Sequence, residues 1–364
     1  MAPALGMREM KTELHTALKK DLKLARKPQL VVDAARHADL DALKLLVKHG
    51  ADINAAWRGY RPLHALIQEK PHGETGRPSR QRLECLDWLL AHGADPDQLG
   101  AWPPARALLI AAFAGIEAFV ERLRKESSDD DAFAACALGD FAAIKHWVKR
   151  NPDFVQARDA GGLTGLQCAA ASRLGHRKEE IHRQIVAIAR LLLDAGADPN
   201  AMTRSWSHDV DTAYFAASAH NLEIFELLLA RGADPTAALP SALWNAPIEF
   251  ADAALKHGAD INRAVTKSAR SSEARPLLTE MVRWGQMRQT FWLLDHGADP
   301  NLPDEQGWTS VHQAASRGNE RIFRAILEAG GDLGRRDAAG LTPMDIARSR
   351  GRTKLAAIAV AYSR

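Results

Sequence analysis

One turn is written seven times along this chain of 364 residues. The copies are His49-Gly50-Ala51-Asp52, His92-Gly93-Ala94-Asp95, Ala195-Gly196-Ala197-Asp198, Arg231-Gly232-Ala233-Asp234, His257-Gly258-Ala259-Asp260, His296-Gly297-Ala298-Asp299 and Ala329-Gly330-Gly331-Asp332. Each follows an apolar, mostly leucine-rich stretch such as Leu227-Leu228-Leu229, and most run on into Pro or Ile and then Asn. Glycine just past an apolar periodic run closes a helix, because only glycine enters the left-handed region without steric cost. The aspartates lie 43, 103, 36, 26, 39 and 33 residues apart. With the widest gap read as three units, the mean period is about 35 residues, within the range of helical repeat arrays. An all-α solenoid of stacked helix-turn-helix pairs is therefore expected, in place of the two or three globular domains that the length alone suggests.

The clearest unit runs from Gly307 to Asp332. Gly307-Trp308-Thr309-Ser310-Val311-His312 opens it, Ala314-Ala315 lies in a first helix, Gly318-Asn319 turns, and Ile322-Phe323 with Ile326-Leu327 line a second helix. Gly340-Leu341-Thr342-Pro343-Met344-Asp345, Ala347, Gly351 and Leu355 repeat the scheme. Threonine at a helix start caps exposed N–H groups, and proline fits the first helical turn. The pairs Ala34-Ala35, Ala134-Ala135, Ala169-Ala170 and Ala216-Ala217 leave room for close helix packing. No such unit buries both faces alone, so stacking is obligatory.

This pattern closely resembles the ankyrin repeat, and the resemblance covers nearly the whole chain. It implies ten helix pairs, at about 28–55, 59–97, 100–125, 129–157, 161–200, 209–236, 238–262, 274–301, 306–334 and 339–362. Residues 28–364 are expected to form one continuous array. Residues 1–27 are expected to form an N-terminal helical cap, since 7–26 carry Leu14, Leu18, Leu22 and Leu24. The middle repeats are irregular. Asn151-Pro152-Asp153 replaces a glycine turn, the pair at 238–262 lacks a Thr-Pro opening, Arg61 and Arg275 stand in the capping-threonine slot, and Gly165 and Pro104 break the pattern. Sheet is expected only as two-residue contacts between connecting fingers.

Four segments exceed what the repeat needs: 69–82 and 173–183 between the helices of a pair, and 201–211 and 263–275 between pairs. Loops on a rigid scaffold are where recognition usually sits. Trp88, Trp147 and Trp292 stand at the first position of a leucine run or its equivalent and read as core. Trp102, Trp244 and Trp284 read as packing without an assigned role. Trp57, Trp206 and Trp308 fall in the fingers. Trp308 and its counterpart Tyr60 occupy the position that, in the ankyrin family, points to the concave side and contacts partners; the alternative is that Trp308 folds back on the next finger.

No catalytic motif is present: neither a Gly-x-Ser-x-Gly elbow, nor a phosphate loop, nor His-Glu-x-x-His. His49, His92, His257 and His296 occur one per repeat and cannot converge on a metal, while His64, His312 and Gln167 fill the family's structural histidine slot. Glu179-x-x-His182 has metal-motif spacing but no second copy, so it reads as a solvated helix start. Cys136 and Cys168 read as apolar fillers, and with Cys85 they form no disulfide or zinc framework. No catalytic residue, metal or cofactor is expected.

The longest uncharged apolar run, Ala107 to Ile116, is too short to cross a bilayer, and no secretory signal is visible, so a cytoplasmic location is expected. A net charge of +3 does not imply nucleic acid. The expected function is a non-enzymatic, monomeric protein-binding scaffold, inhibitory or immunity-type in its sharper form. Its partner is expected to be acidic and to meet a finger side carrying Trp57, Arg58, Tyr60, Arg204, Trp206, His208, Arg263, Lys267, Arg270 and Trp308. The other reading is a ligand-binding or catalytic pocket built from the irregular repeats around 100–157 and 201–275.

Overall fold

The computed structural model describes residues 21–68, 78–101, 103–126, 131–205, 208–268 and 271–362. The chain divides into two compact units, Met1–Phe215 and Ala216–Arg364. In the first, five helix pairs follow one another: α1 (Pro28–Arg36) and α2 (Leu40–Lys48), α3 (Pro62–Gln68) and α4 (Arg80–Ala91), α5 (Ala107–Ala114) and α6 (Glu117–Glu126), α7 (Ala132–Leu138) and α8 (Phe141–Arg150), α9 (Gly165–Ala171) and α10 (Glu179–Asp194). A hairpin of β1 (Thr203–Ser205) and β2 (His208–Val210) leads into α11 (Thr212–Ala219), within which the division falls. The second unit continues with α12 (Leu222–Ala230), α13 (Pro235–Asn245), α14 (Glu249–Lys256), the hairpin β3 (Val265–Ser268) and β4 (Ser271–Pro276), α15 (Leu277–Trp284), α16 (Met287–Asp295), α17 (Ser310–Arg317), α18 (Glu320–Glu328), α19 (Pro343–Ser349) and α20 (Lys354–Tyr362). The described residues thus hold the ten expected helix pairs.

Within each unit, first helices pack on first helices and second on second. In the first unit α1, α3, α5, α7 and α9 stack in sequence, as do α15, α17 and α19 in the second. The alanine pairs make this row possible: Ala35, Ala169, Ala170, Ala216 and Ala217 are fully buried. Larger side chains fill the layer of second helices, where Phe119, Phe225 and Phe323 are fully buried and Phe225 meets Phe250 edge-on at 5.1 Å. Truncating such a phenylalanine costs about 3–5 kcal/mol.

The seven turn glycines all have positive φ, from +81° at Gly297 to +95° at Gly232. A Cβ at Gly232 would meet nothing within 4 Å, so conformation and not space demands glycine there. Thr164, Thr309 and Thr342 each close a capping box with the residue three positions on. The structural slot behaves as the resemblance implies: His64 Nε2 donates to the Ala105 carbonyl at 3.0 Å, Gln167 Nε2 to Ala201 at 2.8 Å and His312 Nε2 to Leu341 at 3.2 Å.

The structure departs from the sequence reading at several points. Sheet is not confined to two-residue contacts, because the segments at 201–211 and 263–275 each fold into an antiparallel hairpin with strands of three to six residues. The seventh pair begins at Pro235, directly after the turn, because Asp234 accepts from the Thr236 and Ala237 N–H groups and caps the helix without any finger. Trp88, Trp147 and Trp292 are half-buried and not core. The buried stripe of α4 is Arg82, Cys85, Leu86 and Leu89, and Trp88 stands one position off it, about 100° round the helix. Its ring instead stacks on His92 at 4.1 Å, as that of Trp292 does on His296 at 4.3 Å. The proposed cap lies outside the described residues apart from a short 3-10 helix at Leu22–Arg26.

Candidate partner-binding surface

The tightest finger is Trp57 to Tyr60. The Trp57 N–H donates to the Tyr60 carbonyl at 2.8 Å and the Tyr60 N–H to Trp57 at 3.0 Å. The two residues between them, Arg58 (φ +51°) and Gly59 (φ +82°), are both left-handed, as a two-residue type I′ turn requires. An arginine held there is strained, by roughly 1–2 kcal/mol. Its guanidinium lies 5.4 Å from the Trp57 ring centroid. A second guanidinium, that of Arg36 at the end of α1, lies 4.9 Å from the Tyr60 centroid, and Asp33 stands one turn back at 3.8 Å from Arg36 Nε. Gln29, Asp33, Arg36, Trp57, Arg58 and Tyr60 line an open cavity of about 450 Å³.

Neighbouring groups fix this finger. Arg61, in the capping-threonine slot, donates from Nε to the Leu99 carbonyl at 2.9 Å and from a terminal nitrogen to the Asn54 carbonyl. The Ala101 N–H reaches the Gly59 carbonyl at 2.8 Å. Beneath it, burial pushes the His64 imidazole down to about 4, so it stays neutral and donates to Ala105. Arginine in the slot therefore replaces a local cap with ties to two connections.

The other nominated residues do not join this cavity. Arg204 is exposed and ion-paired with Asp209 across the β1–β2 hairpin at 3.3 Å, and His208 beside it is half-buried. Trp206 and Arg270 lie outside the described residues. Arg263 is exposed at the entry to the second hairpin, and Lys267 is placed on β3. Arg275, in the same slot as Arg61, reaches Asp304 at 3.5 Å with both side chains largely buried. Trp308 is half-buried, and its indole N–H donates to Asp337 of the next finger at 3.0 Å. Sequence reasoning missed Arg36, Asp33 and Gln29, which belong to the preceding repeat and carry no motif; their common helical face on α1, at i, i+4 and i+7 from Gln29, is the signal that points to them.

Among the described residues no group of three or more His, Cys, Asp or Glu side chains is placed to hold a metal ion. Cys85, Cys136 and Cys168 are buried, and burial raises each thiol well above its ordinary range, Cys85 to about 11, so none is a ready thiolate. Glu179 and His182 open α10, where Glu179 faces Arg183 at 3.8 Å. No helix among the described residues is long and apolar enough to cross a membrane.

Comparison with known proteins places this architecture. The family model described as ankyrin repeats in many copies matches residues 292–347, and that of the single ankyrin repeat matches residues 161–204. Cyclin-dependent kinase 4 inhibitor B of Bos taurus is 36% identical over 126 residues, which cover 34% of this chain and 91% of that protein. The chain belongs to the ankyrin repeat family. Another ankyrin relative, the B-cell lymphoma 3 protein homolog of Mus musculus, is 28% identical over 202 residues, 49% of this chain. The chain spans 43% of the length of that relative. The crystal structure of the ankyrin repeat domain of Bcl-3 superposes with a TM-score of 0.51 at 23% identity, covering 63% of this chain and 98% of that one, which shows the shared fold. Ankyrin repeat proteins generally mediate protein–protein interactions, and their repeat domains are typically non-catalytic.

Proposed function

We propose that this ankyrin repeat protein is a non-enzymatic, monomeric, cytoplasmic binding module that masks one protein partner, with the cavity at Trp57 and Tyr60 as its anchor. The observation that carries this reading is the doubled arrangement of an aromatic ring under a guanidinium, Trp57 with Arg58 and Tyr60 with Arg36, opening onto about 450 Å³. Aromatic and arginine side chains dominate interface hot spots. The Arg36 and Arg58 guanidiniums beside the two rings favour an acidic segment, whose approach they accelerate at low salt. The strained turn at Arg58 supports the same reading, since backbone strain of this kind clusters at functional sites. The inhibitor named among the relatives supports the masking form of the proposal.

Affinity capture from the native cell with the full chain as bait tests it, alongside Trp57→Ala and Arg58→Gly baits. Glycine suits the left-handed turn better than arginine, so Arg58→Gly removes the cation without harming the fold. The expected result is one acidic partner bound by the native chain and lost from both variants, with affinity reduced about 30-fold, the equivalent of roughly 2 kcal/mol. Equal capture by all three baits would overturn the proposal.

A further inference from the structure

The tryptophans of the second unit hold an arrangement that no repeat requires. Trp244 and Trp284 are the only tryptophans among the described residues that are exposed, at 37% and 58%, and they touch each other. They lie at or next to the C-terminal ends of two successive first helices, α13 and α15, with ring centroids 6.4 Å apart and planes at 81°. Their indoles meet edge to face and leave an exposed apolar patch. The Trp284 N–H is spent on Glu280 Oε1 at 2.7 Å, and the Arg283 guanidinium lies 5.8 Å from the Trp284 ring. What Trp284 still presents is therefore apolar.

The same edge is cationic. Each first helix runs from its connection to the helix–helix turn, so its C-terminal end stands about 12 Å from its start, at 1.5 Å per residue over eight residues. At that end Arg317 donates to the Arg283 carbonyl, and one repeat on Arg352 donates to the Ser316 carbonyl at 3.3 Å. His220 reaches the Asn245 carbonyl at 2.9 Å in the same way. Both arginines spend donors on neutral carbonyls and keep their charge. Glu280 is 6% exposed and is engaged from within by Trp284 and Arg283.

We infer that this edge is a second docking surface, for an acidic segment of a partner protein that lays one apolar side chain against the exposed indole of Trp284 beside Trp244. Charge complementarity selects the acidic segment, and the exposed indole of Trp284 selects an apolar anchor. Bracing is the competing use: Trp292, on α16, ties the same two pairs through Asp252 at 2.8 Å. Bracing alone does not account for a tryptophan left 58% exposed, since the contact would bury the ring.

A display library of random twelve-residue peptides, selected on the full chain and counter-selected on its Trp284→Ala variant, tests the inference. The expected survivors carry aspartate or glutamate around a proline or aromatic residue, and lose at least tenfold in affinity to Trp284→Ala. Arg317→Glu, which leaves the aromatic pair in place, should weaken the same peptides by a similar factor and covers the case in which Trp284→Ala fails to fold. No discriminating peptides, basic or neutral survivors, or survivors indifferent to Arg317→Glu would each overturn it.

Discussion

The indole N–H of Trp308 donates to Asp337 at 3.0 Å, and the same aspartate accepts from the Ala339 and Leu341 N–H groups that shape the next finger. The tryptophan thus ties one finger to its successor. Trp308→Phe should lower stability by about 1 kcal/mol, the usual net worth of one hydrogen bond. Binding by the remaining folded protein should be unchanged. Thermal denaturation and partner affinity measured together check this; an affinity loss with an unaltered melting temperature would make Trp308 a binding residue instead.

Gly232→Val should destabilise the second unit by about 1–3 kcal/mol, the range for a residue forced into a sparsely populated backbone region. The position has φ +95° and open space around a Cβ, so the effect reports conformation alone. Ala259→Ser, beside the equivalent glycine of the next repeat, should cost far less. Urea unfolding midpoints of the two variants decide, and equal midpoints would remove the turn from the account of stability.

His64 makes stability depend on acid. Its folded pKa is lowered from 6.5 to about 4 by burial, so the folded protein keeps the ring neutral. Below pH 6.5 the unfolded chain takes up a proton that the folded chain refuses until about pH 4. The contribution is complete above pH 6.5 and falls as the pH drops towards 4, with a limiting slope of about 1.4 kcal/mol per pH unit. His64→Gln puts into this slot the residue that fills it at Gln167, and should flatten the dependence. Unfolding free energies at pH 7 and pH 4.5 for both proteins supply the test.

Two ion pairs of nearly equal length should differ sharply. Arg204 and Asp209 lie 3.3 Å apart with side chains 63% and 54% exposed, whereas Arg275 and Asp304 lie 3.5 Å apart at 14% and 6%. Arg204→Ala should change stability by well under 1 kcal/mol. Arg275→Met should cost about 3 kcal/mol, because it leaves the Asp304 carboxylate buried without its cation. Calorimetric melting of the two variants measures the contrast.

The periodic parts of this molecule were readable from its residues. Gly232 and its six counterparts, the threonine caps at Thr309 and Thr342, and the slot shared by His64, Gln167 and His312 all recur at fixed offsets, so each copy corroborates the others. What recurs once is not readable in that way. The hairpins at 203–210 and 265–276 depend on local strand pairing that interrupts the period. Trp88 and Trp292 follow the leucine pattern in spacing, but a step of one residue turns a side chain about 100° and carries it off the buried stripe. The cavity around Tyr60 combines side chains of two repeats, and Arg36 joins it through a stacking geometry that no local motif encodes. Arg61 and Arg275 stand in the capping-threonine slot, and their long side chains reach the next connection instead.

In the second unit, asparagine makes two of the links that join one turn to the next. Asn262 binds the Gly297 carbonyl and the Asp299 N–H, and Asn301 binds the Gly330 carbonyl and the Asp332 N–H. At the preceding link Thr236 takes the asparagine's place, its Oγ1 accepting from the Asp260 N–H at 2.9 Å. Links of this kind are joined in series, so tension applied between the ends of the unit is borne by every one in turn. A tether pulling on this unit would load the Thr236–Asp260 link and both asparagine links together, alongside the helix packing that joins the same repeats.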